Sequence, residues 1–393
     1  MTGPERVVIV GAGLAGLRTA EELRARGYAG ALTLIGAETR PPYDRPPLSK
    51  KVMTGELDDT GLRPDLDSLG IDLRLAETAV QLGDDVLRTD AASYPWDALV
   101  LATGANPVTL PGDGEQLVLR TADDALALRE RLTPGTRLAI VGAGWIGAEL
   151  ATAAAGRGCQ VTVVEAGQAP LAAAIGVEIG TQTVPWYAEA GIDLRLRTPV
   201  GAIEQGGIAL ADGCWQPADV VVTAVGVRPA VGWLDGSGVA VDNGVVVDAS
   251  LKSSVPGVYA VGDCASFWSG RYQRQLRVEH WDVALHSPEV AAANIAGGRE
   301  NYDPVPYFWS EQFGRMVQYV GWHGGADQIV WRGTPTAAKW AVCWLAAGRM
   351  VAALTVGLPR DLLQARRLIA AGGAVDATAL ADPAVAIRDC ASE

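Results

Sequence analysis

Residues 6–16 read Arg-Val-Val-Ile-Val-Gly-Ala-Gly-Leu-Ala-Gly, a short apolar run followed directly by three spaced glycines. The β-branched run predicts a buried strand, and the leucine and alanine spacing after it predicts a helix. In such a strand–turn–helix unit, Gly11 permits the tight turn, Gly13 lets the backbone approach a pyrophosphate, and Gly16 lets the helix pack closely on the strand. The stretch therefore predicts the phosphate-binding turn of a dinucleotide-binding fold, with the helix N-terminus facing the phosphate charge.

A second strand, predicted at residues 32–35, supports this assignment. Its sequence Leu-Thr-Leu-Ile ends near Glu38, where a carboxylate can accept hydrogen bonds from a ribose diol. Three spaced glycines alone would be a weak signal, whereas strand, turn, helix, strand and acid in this order are specific. The predicted contacts to this first dinucleotide are Gly11, Gly13, Leu14, Ala15, Gly16 and Glu38.

The same order of features recurs in the middle of the chain. An apolar run at 137–141 leads into Gly-Ala-Gly-Trp-Ile-Gly at 142–147, and a further run at 160–164 ends on Glu165. Because Glu165 would repel a 2′-phosphate, the second site is expected to favour NADH over NADPH. An internal repeat in which one site has decayed is the alternative. The predicted contacts to the second dinucleotide are Gly142, Gly144, Trp145, Ile146, Gly147 and Glu165.

Three further apolar runs, at residues 99–104, 220–229 and 257–265, are typical of buried strands that end in glycine turns. In the last of them, Asp263 can bind a sugar hydroxyl at the strand end, or it can cap a following helix. The candidate residues at these strand ends are Ala102, Thr103, Gly104, Val225, Gly226, Gly262 and Asp263.

Composition excludes several classes of protein. With 32 Lys and Arg against 45 Asp and Glu, the formal net charge is −13, so a general attraction to nucleic acid or to an anionic membrane is not expected. The five cysteines form no Cys-x-x-Cys pair and there are only three histidines, which argues against a disulfide framework, a zinc site and a thioredoxin-like couple. The start of the chain lacks a signal-peptide pattern and no run reaches about 18 apolar residues. We therefore expect a cytoplasmic protein with no metal and no membrane span.

The sharpest signal is residues 40–50, Arg-Pro-Pro-Tyr-Asp-Arg-Pro-Pro-Leu-Ser-Lys. This string resembles the Pro-Tyr-x-Arg-Pro-Pro-Leu-Ser-Lys segment of the NADH-dependent ferredoxin reductases, which belong to the two-dinucleotide-binding flavoproteins and include the reductases of putidaredoxin, rubredoxin and biphenyl dioxygenase. Residues 305–312, Val-Pro-Tyr-Phe-Trp-Ser-Glu-Gln, and the Gly-Asp strand end at 262–263 are similar to that family as well. The resemblance covers nearly the whole chain.

The resemblance implies an α/β protein of glutathione-reductase-like architecture, with two Rossmann-like dinucleotide-binding domains and a small α+β C-terminal domain. The expected boundaries are 1–106 with 230–305 for a discontinuous FAD-binding domain, 107–229 for an NAD-binding domain and 306–393 for the C-terminal domain. In the C-terminal domain, apolar runs predict strands, followed by helices rich in Leu, Ala and Arg. These strands are predicted at 316–322, 328–331, 340–345 and 350–355.

The resemblance also implies how the cofactors are held. FAD would have Glu38 on its adenosine ribose, Arg45 near its pyrophosphate and Asp263 on its ribityl chain. NADH would use the second glycine turn and Glu165. After Glu165, residues 166–174 contain no arginine where relatives usually carry one, which implies a weaker affinity for the nicotinamide nucleotide.

Lys50 and Glu149 match a family pair near the reactive side of the flavin, where an ammonium can stabilise negative charge on a reduced ring. The alternative for Lys50 is a solvated lysine beside Lys51. Trp309 could lie beside the flavin and lead electrons outward, or it could simply pack at a domain junction.

Residues 278–284, Val-Glu-His-Trp-Asp-Val-Ala, begin a predicted helix with an acidic first turn. In the family this helix points its positive end at the flavin pyrimidine. The expected cofactor contacts at its start are Glu279, His280 and Trp281. The chain departs from the family at 286–288, where His-Ser-Pro replaces a common Gln-Gly. The helix is therefore expected either to kink or to restart with Ser287 as its cap.

Tyrosine, proline and arginine fill the segment in which related disulfide reductases and NADH peroxidases carry reactive cysteines. Electrons from NADH would therefore pass through FAD to an external acceptor, and the resemblance implies an acidic iron–sulfur ferredoxin that serves an oxygenase or a cytochrome P450.

Arginines that could attract this ferredoxin are Arg271, Arg274, Arg277 and Arg315, and a solvated loop is the alternative for the first three. Rubredoxin reductase, a general NADH:acceptor diaphorase and a redox-responsive NADH-binding interaction protein are the other functions considered. The ferredoxin, the terminal oxygenase and the oligomeric state stay open.

Overall fold

In the computed structural model, which describes residues 3–392, the chain forms two compact units. The first unit holds residues 3–44, 60–106 and 228–306, and the second holds 45–59, 107–227 and 307–392. The segment 45–59, which the sequence assigns to the first domain, makes its contacts within the second unit. The division into three domains stays a prediction.

The first unit is built on a five-stranded parallel sheet. Its strand order is Val258–Ala260, Ala98–Leu101, Arg6–Val10, Ala31–Ile35 and Asp72–Arg74. Ile9, Leu34 and Leu99 are fully buried, because a parallel sheet is covered on both faces and its strands read as nearly continuous apolar runs. The α-helices of this unit, Leu14–Ala25 and Trp281–Ile295, pack on each other.

Two smaller sheets complete the first unit. One is antiparallel and contains Ala79–Leu82, Val86–Thr89 and Ser93–Pro95. The other is mixed and contains Val245–Val247, Ala265–Ser269 and Arg274–Leu276. Single 3₁₀ turns lie at Gly232–Leu234 and Gly262–Cys264, and the short strands Ala105–Pro107 and Val227–Pro229 lie where the chain passes from one unit to the other.

The second unit contains another parallel sheet, with the strand order Asp193–Arg195, Gln160–Val164, Arg137–Val141 and Val220–Thr223. Its helices are Ala122–Arg131, Trp145–Gly156, Ala172–Ile175, Val177–Thr181 and Val184–Glu189. An antiparallel sheet of Val200–Glu204, Gly207–Leu210 and Trp215–Pro217 and a π-helical turn at Leu48–Val52 belong to the same unit.

A five-stranded antiparallel sheet forms the C-terminal part of the second unit. Its strand order is Tyr307–Gln312, Arg315–Gly321, Arg349–Val356, Trp340–Ala346 and Gln328–Arg332. The helices Pro359–Ala371 and Ala377–Ala381 and a 3₁₀ turn at Ile387–Cys390 follow. Four of the five strands are predicted by apolar runs. Tyr307–Gln312 is not, because its buried positions Ser310 and Gln312 are polar and no apolar alternation marks it.

The α/β class with two Rossmann-like parallel sheets and an α+β C-terminal part is confirmed. One side of the C-terminal sheet packs into a core in which Trp340, Val342 and Trp344 meet Leu171 and Ile175. Within residues 3–392, the structure contains no helix of the length and apolarity needed to cross a membrane.

Candidate functional site

The turn after strand Arg6–Val10 has the geometry that close approach of a phosphate requires. Gly11 has φ +113°, and a Cβ added there would lie 2.1 Å from the Ala102 carbonyl oxygen, so only glycine fits. A Cβ added at Gly16 would lie 1.9 Å from the Gly11 carbonyl oxygen, so Gly16 sets the close packing of the helix on the turn. At Gly13 an added Cβ would meet no atom within 4 Å. The open side of the loop at Gly13 therefore forms a cradle that fits a pyrophosphate.

Neighbouring strands bring the other residues predicted for the first dinucleotide to the same edge of the sheet, because the carboxyl ends of parallel strands lie side by side. Residues 102–104 follow the strand Ala98–Leu101, and Thr103 Oγ1 donates to the Ala230 carbonyl at 2.8 Å. Gly262 and Asp263 follow Val258–Ala260 in the same way. A Cβ added at Gly262 would lie 2.9 Å from the Cβ of Ala15, so this turn rests directly on the start of the first helix. Leu14 is the first residue of that helix.

Glu38 is held by a residue that the glycine pattern does not identify. The hydroxyl of Tyr43 donates to Glu38 Oε2 at 2.6 Å, and the Tyr43 side chain is buried. Glu38 thus lies beyond the end of the second strand with one carboxylate oxygen already oriented. Tyr43 lies within the 40–50 string, so the sequence could have identified it as a residue of this site.

The helix Trp281–Ile295 starts where the sequence predicts. His280 is its N-cap, and the imidazole Nδ1 accepts a backbone N–H at 3.3 Å. The helix runs without interruption through Pro288, so the restart considered at Ser287 is wrong. Ser287 Oγ donates to a backbone carbonyl of the preceding helical turn at 2.7 Å and accepts the Gly262 N–H at 3.1 Å. Its hydroxyl therefore ties the helix to the Gly262 turn and does not cap a new helix.

Asp44 is a further residue of this site that the sequence did not single out. The indole Nε1 of Trp281 donates to Asp44 Oδ1 at 2.8 Å, which joins the 40–44 segment to the start of the helix. Burial raises the pKa of the Asp44 carboxyl above its usual value, and the indole hydrogen bond opposes this increase. Glu279 and His280 lie immediately before Trp281 at the same helix start.

The raised pKa of Asp44 has a measurable consequence. A carboxyl whose pKa is higher in the folded than in the unfolded state makes the protein lose stability as pH rises through that range. Asparagine still accepts from Trp281 but carries no charge, so Asp44→Asn is expected to be more stable than the wild type at about pH 7. The difference should vanish below the usual aspartate pKa of about 3.9. Urea unfolding of both proteins at about pH 7 and below about pH 3.9 measures this difference in stability. Equal stability of the two proteins at neutral pH would contradict the prediction.

The second glycine turn repeats the geometry of the first. Gly142 has φ +103°, and an added Cβ would lie 2.5 Å from the Ala224 carbonyl oxygen. An added Cβ at Gly147 would lie 2.0 Å from the Gly142 carbonyl oxygen, whereas at Gly144 it would meet no atom within 4 Å. Both glycine turns are therefore intact cradles, and the structure gives no sign that either has decayed.

Glu165 lies at the end of strand Gln160–Val164 and is anchored to this second turn. One carboxylate oxygen accepts the Ala143 N–H at 2.8 Å, and the other accepts the Gly167 N–H at 2.6 Å. Val225 and Gly226 follow strand Val220–Thr223 at the same sheet edge, and Gly226 has φ +104°. The structure therefore groups all of the residues predicted for the second dinucleotide.

Trp145 and Ile146 open the helix that follows the second glycine turn. Ile146 is 42% exposed, which leaves an apolar side chain at the mouth of the cradle. The Trp145 ring meets Phe308 edge-on, with 4.7 Å between ring centroids.

Lys50 is not a solvated lysine. Its side chain is only 17% exposed, and Nζ lies 2.8 Å from Glu149 Oε2 and 3.2 Å from the Pro46 carbonyl oxygen. The structure therefore forms the Lys50–Glu149 pair that the resemblance implies. Two serines also contact Glu149, and the sequence did not single them out: Ser49 and Ser310 each donate at 2.5 Å.

Several other predicted residues have partners of their own. Arg45 donates through Nη1 to the Arg120 carbonyl at 2.6 Å, and its proposed place at a pyrophosphate stays a prediction. Trp309 stacks on Tyr307 with 5.8 Å between ring centroids, which is a packing contact. Of the arginines considered for a partner surface, Arg277 pairs with Glu279 and Arg315 pairs with Glu189.

The surroundings of the five cysteines disfavour their thiolate forms. All five thiols are free, and the pKa of each lies above its usual value. Burial raises the pKa of Cys264, which follows Asp263 directly, and that of Cys343 to about 12. Because thiolates are the reactive form, these raised pKa values disfavour thiol reactivity at neutral pH. Within residues 3–392 no group of three His, Cys, Asp or Glu side chains could hold a metal ion.

Comparisons with known proteins agree with two dinucleotide-binding turns in one chain. Residues 5–287 match the family described as pyridine nucleotide-disulphide oxidoreductase, and residues 307–391 match the reductase C-terminal family. The chain is 38% identical to the anthranilate 1,2-dioxygenase system ferredoxin–NAD(+) reductase component of Burkholderia cepacia, over 97% of this chain and 98% of the relative. The crystal structure of Fdr9 is similar with TM-score 0.95 and 48% identity, over 99% of this chain and 100% of Fdr9. The reductase in a covalent putidaredoxin reductase–putidaredoxin complex is similar with TM-score 0.94 and 30% identity, over 98% of both chains.

Proposed function

The chain belongs to the pyridine nucleotide-disulphide oxidoreductase family, and from that premise we propose that it is an FAD-dependent NADH:ferredoxin oxidoreductase. It passes electrons from NADH through FAD to an iron–sulfur ferredoxin that serves an oxygenase or a cytochrome P450. The observation that carries this proposal is the pair of open glycine cradles at Gly13 and Gly144, each with an acid beyond the next strand. The family matches over residues 5–287 and 307–391 confirm the resemblance inferred from the 40–50 string.

FAD is assigned to the first unit. The residues that fit it are the cradle at Gly13 for the pyrophosphate, Glu38 for the adenosine ribose and Asp263 for the ribityl chain. The N-terminus of helix Trp281–Ile295, capped by His280, would supply positive partial charge to the flavin. When bound, FAD accepts two electrons from NADH and can release them singly to an iron–sulfur partner. The protein contributes binding, orientation and a defined electrostatic environment.

NADH is assigned to the second glycine turn. Glu165 has both carboxylate oxygens held by backbone N–H groups, so its negative charge stays at the place where a 2′-phosphate would lie. Glu165→Ala is expected to narrow the preference for NADH over NADPH by about tenfold, because the carboxylate no longer repels the 2′-phosphate; tenfold corresponds to about 1.4 kcal/mol. Ratios of kcat/KM for the two nucleotides measure the effect. An unchanged ratio would remove Glu165 from the specificity argument.

Lys50 is assigned to the chemical step. Among residues 3–392, the Lys50 ammonium has two acceptors, Glu149 and the Pro46 carbonyl, which leaves its third N–H for a negatively charged group. A positive charge that is already fixed in place stabilises developing negative charge without reorganisation. We assign this role to Lys50 when the flavin is reduced.

Residues 40–50 hold tyrosine, proline and arginine where related disulfide reductases carry reactive cysteines, which supports an external electron acceptor. Ferredoxins are acidic and this chain has a net charge of −13, so productive encounter requires a local positive surface. The candidates for that surface are Arg271, Arg274, Arg277 and Arg315. The free cysteines suit a reducing compartment, and we propose a cytoplasmic location.

Anaerobic titration of the purified protein with NADH tests the proposal. We expect a yellow protein whose flavin absorbance bleaches with NADH and returns rapidly when an iron–sulfur ferredoxin and cytochrome c are added. Rapid reduction of artificial acceptors with no response to ferredoxin would favour a diaphorase. A slow, long-lived complex of reduced protein and nucleotide would favour a redox-responsive interaction protein. A colourless protein that cannot be reconstituted with FAD would overturn the proposal.

A further inference from the structure

Glu149 is a buried carboxylate with three side-chain donors. Its exposure is 4%, and it accepts from Ser49 Oγ at 2.5 Å, from Lys50 Nζ at 2.8 Å and from Ser310 Oγ at 2.5 Å. An ionised carboxylate only accepts hydrogen bonds, so both serine protons must lie on these contacts. Oε2 receives Ser49 and Lys50, and Oε1 receives Ser310. Both carboxylate oxygens are therefore fixed.

Gln312 determines which way the Ser310 hydroxyl points. Gln312 is 1% exposed, and its Nε2 donates to Ser310 Oγ at 3.0 Å. Ser310 thus receives a proton from the amide and directs its own proton to Glu149. Hydrogen bonds thus run from the Gln312 amide to Ser310 and from Ser310 to the Glu149 carboxylate. Reversing the direction of either hydrogen bond would leave two acceptors facing each other.

The contacts join three separate segments of the second unit. Ser49 and Lys50 belong to the π-helical turn Leu48–Val52, Glu149 belongs to helix Trp145–Gly156, and Ser310 belongs to strand Tyr307–Gln312. A lysine has a flexible stem and a rotating ammonium, so a single ion pair restrains it weakly. A carboxylate that is held on both oxygens gives the ammonium one fixed place to bind.

We propose that Ser49 and Ser310 are positioning residues, which fix Glu149 and through it hold the Lys50 ammonium in one orientation. This inference rests on the proposed function, in which Lys50 acts when the flavin is reduced. The serines are not assigned as catalytic residues, since in the described part of the chain their hydroxyls bond to Glu149 and, for Ser310, also to Gln312.

The orientation of Lys50 can be measured without turnover. Acetic anhydride labels free lysine amines, and Lys51, which is exposed, is an internal reference in the same peptide region. In the holoenzyme, mass spectrometry gives the ratio of Lys50 to Lys51 acetylation. We expect Ser310→Ala and Ser49→Ala each to raise that ratio by about tenfold, as loss of a hydrogen bond to a charged group predicts. The double variant should raise it further, and Ser310→Thr, which keeps the hydroxyl, should stay near the wild type.

The chemical step gives the second measurement. In stopped-flow mixing of the oxidised holoenzyme with NADH, the limiting rate of flavin bleaching should fall about tenfold in Ser310→Ala, since a hydrogen bond to a charged group is lost. The NADH concentration at half-maximal rate should stay unchanged. The control is Ser269→Ala, because Ser269 is also fully buried and donates to a carboxylate, that of Asp303, at 2.5 Å, but belongs to the first unit and has no hydrogen bond to Glu149 among the described residues. That variant should bleach at the wild-type rate.

The outcomes separate the two proposals. If the wild type is not bleached by NADH, the proposed function fails. If the wild type is bleached and Ser310→Ala matches Ser269→Ala in both bleaching rate and acetylation ratio, the function stands and the positioning role is overturned. A slower rate in Ser310→Ala that Ser310→Thr does not restore would also overturn it, because a purely packing role would then suffice.

Discussion

A Gly13→Val protein is expected to fold and to be isolated without FAD. Gly13 has extended backbone angles that any residue adopts, and its Cβ position meets no atom of the protein, so valine brings neither strain nor a clash. The valine methyl groups would instead occupy the cradle that the pyrophosphate needs. We expect FAD affinity to fall by at least about 100-fold, which corresponds to about 3 kcal/mol.

Visible absorbance of the purified protein and its reconstitution with FAD measure this loss. Gly156→Ala is the matched control, because a Cβ at Gly156 also meets no atom within 4 Å but lies at the far end of the helix that follows the second turn. That control should be yellow. A Gly13→Val protein that keeps stoichiometric FAD would contradict the assignment of the first cradle.

The equivalent change at the second cradle should separate the two cofactors. Gly144 has the same extended conformation and the same open Cβ position. A Gly144→Val protein is expected to retain FAD and its yellow colour but to resist bleaching by NADH. A chemical reductant should still bleach it. Normal bleaching by NADH would show that the second turn does not bind the nucleotide.

Arg332→Ala is expected to cause the largest loss of stability among the changes considered. The Arg332 side chain is 4% exposed, and its Nε lies 2.8 Å from Asp361 Oδ2. Its two terminal nitrogens donate to four backbone carbonyls between residues 380 and 385. Alanine would leave a carboxylate and these carbonyls without their partner, which costs about 3–5 kcal/mol for a broken buried ion pair.

Urea unfolding, followed by tryptophan fluorescence, measures this loss. Arg332→Lys should recover only part of it, because an ammonium can pair with Asp361 but cannot reach all of the carbonyls that the planar guanidinium serves. Arg388→Ala is the control, since Arg388 is 72% exposed and its ion pair with Asp389 should contribute almost nothing. A loss below about 1 kcal/mol in Arg332→Ala would mean that water replaces the guanidinium at little cost.

The two glycine turns show which features short stretches of sequence can predict. Their positions, the roles of Gly11, Gly13 and Gly16 and the acid after the next strand follow from short stretches of sequence, because backbone conformation and close approach are local properties. The family resemblance added Lys50 and Glu149 as a pair. The sequence did not reveal that Tyr43 holds Glu38 or that Asp44 holds Trp281, although each residue lies in a quoted string.

Local rules misjudged two elements where distant residues decide the outcome. Pro288 lacks an N–H and predicts a break, yet Ser287 bonds both to its own helix and to Gly262, and the helix continues. Tyr307–Gln312 lacks apolar alternation, yet it pairs along its whole length with Arg315–Gly321. In both cases tertiary contacts outweigh local propensity.

The sequence by itself determined the two dinucleotide turns and the family, since these depend on residues close together along the chain, and it predicts a preference for NADH from Glu165. Only the tertiary structure determined the surroundings of Glu149, because Ser49 and Ser310 lie 100 and 161 positions away from it along the chain. A single serine has no sequence pattern that predicts a hydrogen-bond partner so far away along the chain. Its hydrogen bond exists only after the sheets have folded and removed the competing water.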